Sequence, residues 1–118
     1  MTAPVIPNKY DIVLPQGSVY KLVIAVTVAW LANLSGYSAR GQIRADRSAS
    51  SALLVDLASY LTVDVINSQI VLDMNADVLK TADWDRGQYD IELFVVGDTT
   101  KDIRVIQGTA FLNREVAR

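Results

Sequence analysis

Polar and apolar residues alternate along most of this chain. Across residues 37–45, Tyr37, Ala39, Gly41, Ile43 and Ala45 fall on one side and Ser38, Arg40, Gln42 and Arg44 on the other. A period of two marks a strand with one buried face. Residues 88–96 repeat the pattern: Tyr89, Ile91, Leu93 and Val95 alternate with Gln88, Asp90, Glu92 and Phe94. Residues 18–28 are different, because Val19, Tyr20, Leu22, Val23, Ile24, Val26 and Val28 leave almost no polar face. Such a run predicts a strand buried on both faces, or one with its second face against a partner. Val23, Ala25, Val28 and Trp30, on this strand and its exit, are therefore candidate interface residues. Arg40 and Arg44, on the polar face of the 37–45 strand, are the charged candidates.

Turn residues separate these runs from shorter ones. Residues 9–14 read as a strand ending at Pro15-Gln16-Gly17. Residues 46–51 form a polar loop before a short strand at 52–57. Runs at 62–66 and 69–74 flank Asn67-Ser68 and predict a tight hairpin. Residues 75–84 break the alternation. Asn75 is a helix-capping residue type, and Val78, Leu79 and Ala82 have helical spacing, so one or two turns of helix are expected. Residues 102–112 form the last strand, paired with 88–96 around Gly97, and Gly108 marks a bulge or a close contact. The sum is an all-β chain: a single β-sandwich of about eight or nine short antiparallel strands with one short helix near 75–84. Residues 9–118 form the sandwich domain. Residues 1–8, with Pro4 and Pro7, form an extended arm.

Composition narrows function mainly by exclusion. The chain has 118 residues, 51% of them hydrophobic, and a formal net charge of −2. A chain living on nucleic-acid phosphates carries a basic excess, so no nucleic-acid partner is expected. The longest apolar stretch, 22–34, is too short to span a bilayer and has no basic leader before it, so neither membrane nor secretion is expected. Cys and His are both absent. That removes the common zinc and iron–sulfur sites, thiol nucleophiles and histidine bases. No nucleotide-binding or hydrolase glycine motif occurs. The chain reads as a non-enzyme without cofactor or metal.

Three features invite chemistry and have plainer structural readings. Asp83-Trp84-Asp85-Arg86-Gly87 alternates carboxylates before a glycine, like the start of a calcium loop, but the later oxygen ligands are missing. Arg40 and Arg44 opposite Asp90 and Glu92 offer an acid–base or sugar-binding face, or simple cross-strand ion pairs. Trp30 and Trp84 suit a sugar platform or the ends of a small core.

Four segments in order also resemble small virion proteins of tailed bacteriophages. They are Tyr10-Asp11-Ile12-Val13-Leu14-Pro15-Gln16-Gly17, Leu34-Ser35-Gly36-Tyr37-Ser38-Ala39-Arg40-Gly41-Gln42-Ile43-Arg44, Gly87-Gln88-Tyr89-Asp90-Ile91-Glu92-Leu93 and Val105-Ile106-Gln107-Gly108-Thr109-Ala110-Phe111. The pattern is similar to that of the N-terminal domain of baseplate upper proteins. The resemblance implies a β-sandwich structural module of the virion, assembled in the host cytoplasm. Its partners would be other phage structural proteins and copies of itself. In that family the pattern accompanies a longer fibre segment, whereas this chain stops at Arg118, so an adaptor docking fibres or spikes to the tail or baseplate is the expected role. A capsid cement or decoration protein is the alternative, and a carbohydrate-binding module a further one.

Overall fold

The computed structural model describes residues 8–26, 34–48 and 51–114. Among the described residues, nine strands form two sheets. They are β1 (Asn8–Lys9), β2 (Ile12–Pro15), β3 (Tyr20–Ala25), β4 (Ser38–Arg44), β5 (Leu53–Asp56), β6 (Leu61–Asp64), β7 (Gln69–Met74), β8 (Arg86–Val95) and β9 (Asp98–Asn113). One sheet has the order β1-β9-β8-β4-β5, with β2 also on β9; the other has the order β3-β7-β6. This is a β-sandwich whose strand order matches the immunoglobulin-type Greek key, without that fold's disulfide.

The period-two patterns do what they predict. On β8, Tyr89, Ile91 and Leu93 are buried, and on β4 Gly41 and Ile43 are buried. Across the sandwich, Ile24, Ile70, Leu72 and Met74 meet them from the smaller sheet, and Leu57 and Leu79 close the core. Val105 and Ile106 are both buried although adjacent. The register against β8 shifts there, so the ladder sets Ile91 opposite Ile106 and Glu92 opposite Arg104. The extra residue turns both side chains inward.

Three expectations need correction. The first strand is two pieces, β1 and β2, and both run parallel to β9 rather than antiparallel. The hairpin at 62–74 turns through four residues, 65–68, with Ser68 at φ +51°. Asp64 holds this turn by accepting from the Asn67 backbone and side chain, and those bonds hold its carboxyl below the usual range. Finally, no helix forms at 75–84. Asn75 does accept from the Asp77 amide as a cap would. The segment then proceeds by three-residue turns, with the amides of Val78, Lys80 and Ala82 donating to the carbonyls of Asn75, Asp77 and Leu79. A buried side chain explains the outcome. Gln16, 8% exposed, donates its amide to the carbonyls of Leu79 and Ala82 at 3.0 and 2.9 Å. Carbonyls gathered on one foreign amide do not line up for an i→i+4 ladder. The one helical element among the described residues is a 3₁₀ turn at Ala58–Tyr60.

Gly108 is a close contact, as expected of a glycine inside this strand. The Tyr10 carbonyl lies over it, and the Tyr89 hydroxyl donates to that same carbonyl. Burial, followed by the nearby Tyr20, raises the Tyr89 pKa well above its ordinary value. The neutral phenol is thus the folded form. Its stabilising contribution is complete below about pH 10, where the unfolded phenol begins to ionise, and is lost as pH rises further. Urea melts of the wild type should show a falling midpoint above about pH 10. In Tyr89→Phe that part of the alkaline decline should be absent.

Candidate functional site

The sequence-selected interface residues do not form one patch. Val23 and Ala25 point outward from β3 in the smaller sheet, while Arg40 and Arg44 point outward from β4 in the larger one. The two groups therefore occupy opposite faces of the sandwich. Val28 and Trp30 lie outside the described residues. Among the described residues of the 18–28 run, one face of β3 turns to the core and the other is open. Ile24 enters the core, while Val23 is 49% exposed and Val19 also faces water. Val23 pairs with Val71, and Lys21 with Asp73, on that outer face.

On the larger sheet the outer face is a lattice of charges. Arg40 donates to Glu92 directly across the ladder and reaches Asp102 at 3.1 Å. Its guanidinium also lies 4.5 Å from the centre of the Phe94 ring. Arg104 faces Asp90 at 3.8 Å. Arg44 is tied to Gln42 at 2.9 Å and to the Ser51 carbonyl at 2.7 Å. Two shallow hollows open on this face. One, of about 370 Å³, is lined mainly by Arg40, Gln42, Asp56, Asp90 and Glu92. The other, of about 230 Å³, has Arg44, Arg47, Gln88, Asp90 and Arg104 around it. Cross-strand ion pairing thus absorbs Arg40. Of the three carboxylates around the larger hollow, Glu92 and Asp90 face arginines and Asp56 accepts the Ala58 amide at 3.0 Å.

The third surface is one that the sequence pattern missed. The β6–β7 turn sits beside the end of β3, where the Val26 amide donates to the Ser68 carbonyl at 2.9 Å. β2 ends opposite Asn113, the end of β9 farthest from the β8–β9 turn, and the tight turn closed by the Ser18 amide on the Pro15 carbonyl leads straight into β3, which runs back toward the β8–β9 turn. Both hairpin tips therefore belong to the end of the sandwich at which β3 finishes. Each tip carries an aliphatic side chain in water: Ile66 is 94% exposed and Val96 82% exposed, with Val65 beside Ile66. The alternation rule had placed Ile66 inside a strand. Only the turn chemistry of Asn67-Ser68 and of Val96-Gly97, where Gly97 has φ +84°, could have marked both as tips.

The remaining candidates resolve simply. Trp84 packs partly buried against the core, as the end-of-core reading requires. Asp83 and Asp85 turn to Arg114, through the Asp83 carbonyl and an ion pair of 3.1 Å from Asp85. Among the described residues no group of three or more acidic side chains is gathered to hold a metal ion. No helix among them is long and apolar enough to cross a membrane.

No family model matches this chain, and no curated protein matches it. Solved structures that resemble it in outline include these two. One is of the extracellular domain of the voltage-gated sodium channel beta4 subunit, in parallel homodimers, with 13% identity, a TM-score of 0.45, and 100% of this chain and 96% of that one covered. The other comes from a structural study of T cell specificity and activation by the bacterial superantigen toxic shock syndrome toxin-1, with 9% identity, a TM-score of 0.41, and 87% of this chain and 92% of that one covered. Neither likeness bears on function.

Proposed function

We propose that this chain is a structural module of a tailed-phage particle, a small adaptor that docks fibres or spikes to the tail or baseplate. It acts by contact and needs no cofactor. Two things support the reading. Four ordered segments resemble virion β-sandwich proteins, and two of them supply the central strands β4 and β8. The observation that carries it is the pair of bare aliphatic tips at one end of the sandwich. A side chain as exposed as Ile66 gains nothing from folding, yet transferring it to a partner surface is worth about 1.5–3 kcal/mol. Aliphatic tips gathered at one end suit end-on docking into a neighbouring subunit.

The test replaces both tips. An Ile66→Asp/Val96→Asp variant should melt at the wild-type temperature, since neither side chain contributes to the core. Particles grown with the variant in place of the wild type should lack it, as read by immunoblot of the purified particles. Incorporation at the wild-type level would overturn the assignment of this end.

A further inference from the structure

The smaller hollow on the outer face of the larger sheet has an architecture that assembly does not explain. Three arginines line it from three elements: Arg44 from β4, Arg47 from the loop that follows, and Arg104 from β9. Gln88 and Asp90 of β8 are part of the same lining. Arg44 is held in place by Gln42 and the Ser51 carbonyl, which use two of its five donors. Arg47 makes two long bonds, 3.3 Å to Gln107 and 3.5 Å to the Gly108 carbonyl. Arg104 approaches Asp90 only to 3.8 Å, beyond hydrogen-bond length. The second carboxylate of the lining, Asp46, accepts the Ser48 amide of its own loop at 2.7 Å. Three cations held with donors to spare thus face two carboxylates, one of them engaged elsewhere.

We propose that this hollow is a binding site for a tetrahedral oxyanion, a phosphate or sulfate group, free or carried by a larger ligand. The size fits. A volume of about 230 Å³ corresponds to roughly eight waters at about 30 Å³ each. It is smaller than the roughly 300–1,000 Å³ of whole-ligand pockets. A charged group enters and the rest of any carrier stays outside. The geometry favours a tetrahedral group over a carboxylate, because one guanidinium fork satisfies a planar carboxylate whereas three donors from three directions match three oxygens. The neighbouring hollow, with Asp56, Asp90 and Glu92 around Arg40, repels the same anion and confines it. Asp90, shared by both, sets the affinity by opposing the ligand.

Titration of the isotope-labelled chain, followed by NMR of the arginine Nε–H and glutamine side-chain signals, tests this. Inorganic phosphate and glucose 6-phosphate should both shift Arg44, Arg47, Arg104 and Gln88 along saturating curves, with dissociation constants in the millimolar range. Tighter binding of the sugar phosphate would identify an ester as the ligand, and equal binding the free ion. Acetate and chloride at matched ionic strength should not saturate. Arg47→Ala/Arg104→Ala should weaken phosphate at least about tenfold, since two charge-assisted bonds are lost. Asp90→Asn should strengthen it several-fold while keeping the sheet intact, a gain that a merely structural role would not give. Unsaturated shifts with phosphate, acetate binding as tightly, or an Asp90→Asn variant with unchanged affinity would each overturn the site.

Discussion

Gly108→Ala is expected to strip the first two strands from the sandwich. A Cβ at this position would lie 2.2 Å from the Tyr10 carbonyl oxygen and 2.7 Å from its carbon. Both are backbone atoms, so no rotamer relieves the overlap. The carbonyl is also fixed from the other side by the Tyr89 hydroxyl. The Tyr10 amide donates to the Gln107 carbonyl at 2.8 Å, and Asp11 accepts the Thr109 amide at 2.9 Å. Displacing residues 10 and 11 breaks this lattice. It also withdraws Ile12 and Leu14, which are both fully buried, from the core. Overpacking alone costs about 1–3 kcal/mol, and the lost burial adds to it. We expect a fall of about 3 kcal/mol or more in unfolding free energy. Hydrogen exchange should show faster loss of protection at the Tyr10 and Gln16 amides than in β7. Wild-type exchange at both amides would contradict this account of the edge.

Leu72→Ala should have an effect of the same order through the other sheet. Leu72 is fully buried on β7, the middle strand, with Leu22 and Leu61 opposite it on either side. Truncation leaves a cavity that two neighbouring strands cannot both collapse into, at a cost of about 2–5 kcal/mol. A domain of this size has about 5–15 kcal/mol in all. The chain has no cysteine, so no disulfide limits the loss. Urea denaturation should show a lower midpoint with an unchanged slope. Val23→Ala, one residue along on the paired strand but facing water, should change stability by no more than about 0.5 kcal/mol.

These positions also show what the sequence alone could convey. The strands β4 and β8 were legible because one of their faces is buried and the other wet, so burial writes itself as alternation. Gly108 was legible as a contact because a glycine inside a strand demands a reason. Its partner, Tyr10, was not, because parallel pairing of β1 and β2 with β9 joins residues nearly a hundred positions apart. The missing helix has the same origin. Val78, Leu79 and Ala82 do have helical spacing, but the segment answers to Gln16, more than sixty residues upstream. For interaction surfaces, the apolarity of β3 left open whether Val23 is buried or exposed, and it carried no information about the opposite placement of Arg40 and Arg44. The tips at Ile66 and Val96 escaped because a single aliphatic residue in a turn leaves no period to read.

The claim on which the rest depends is that the chain is a building block of a particle. Quantitative mass spectrometry of gradient-purified particles, with isotope-labelled peptide standards, measures its copy number directly. The account predicts a fixed stoichiometry of a few tens of copies or fewer, as for a tail or baseplate component. Hundreds of copies would place it on the capsid instead, and purified particles containing none would contradict the proposal.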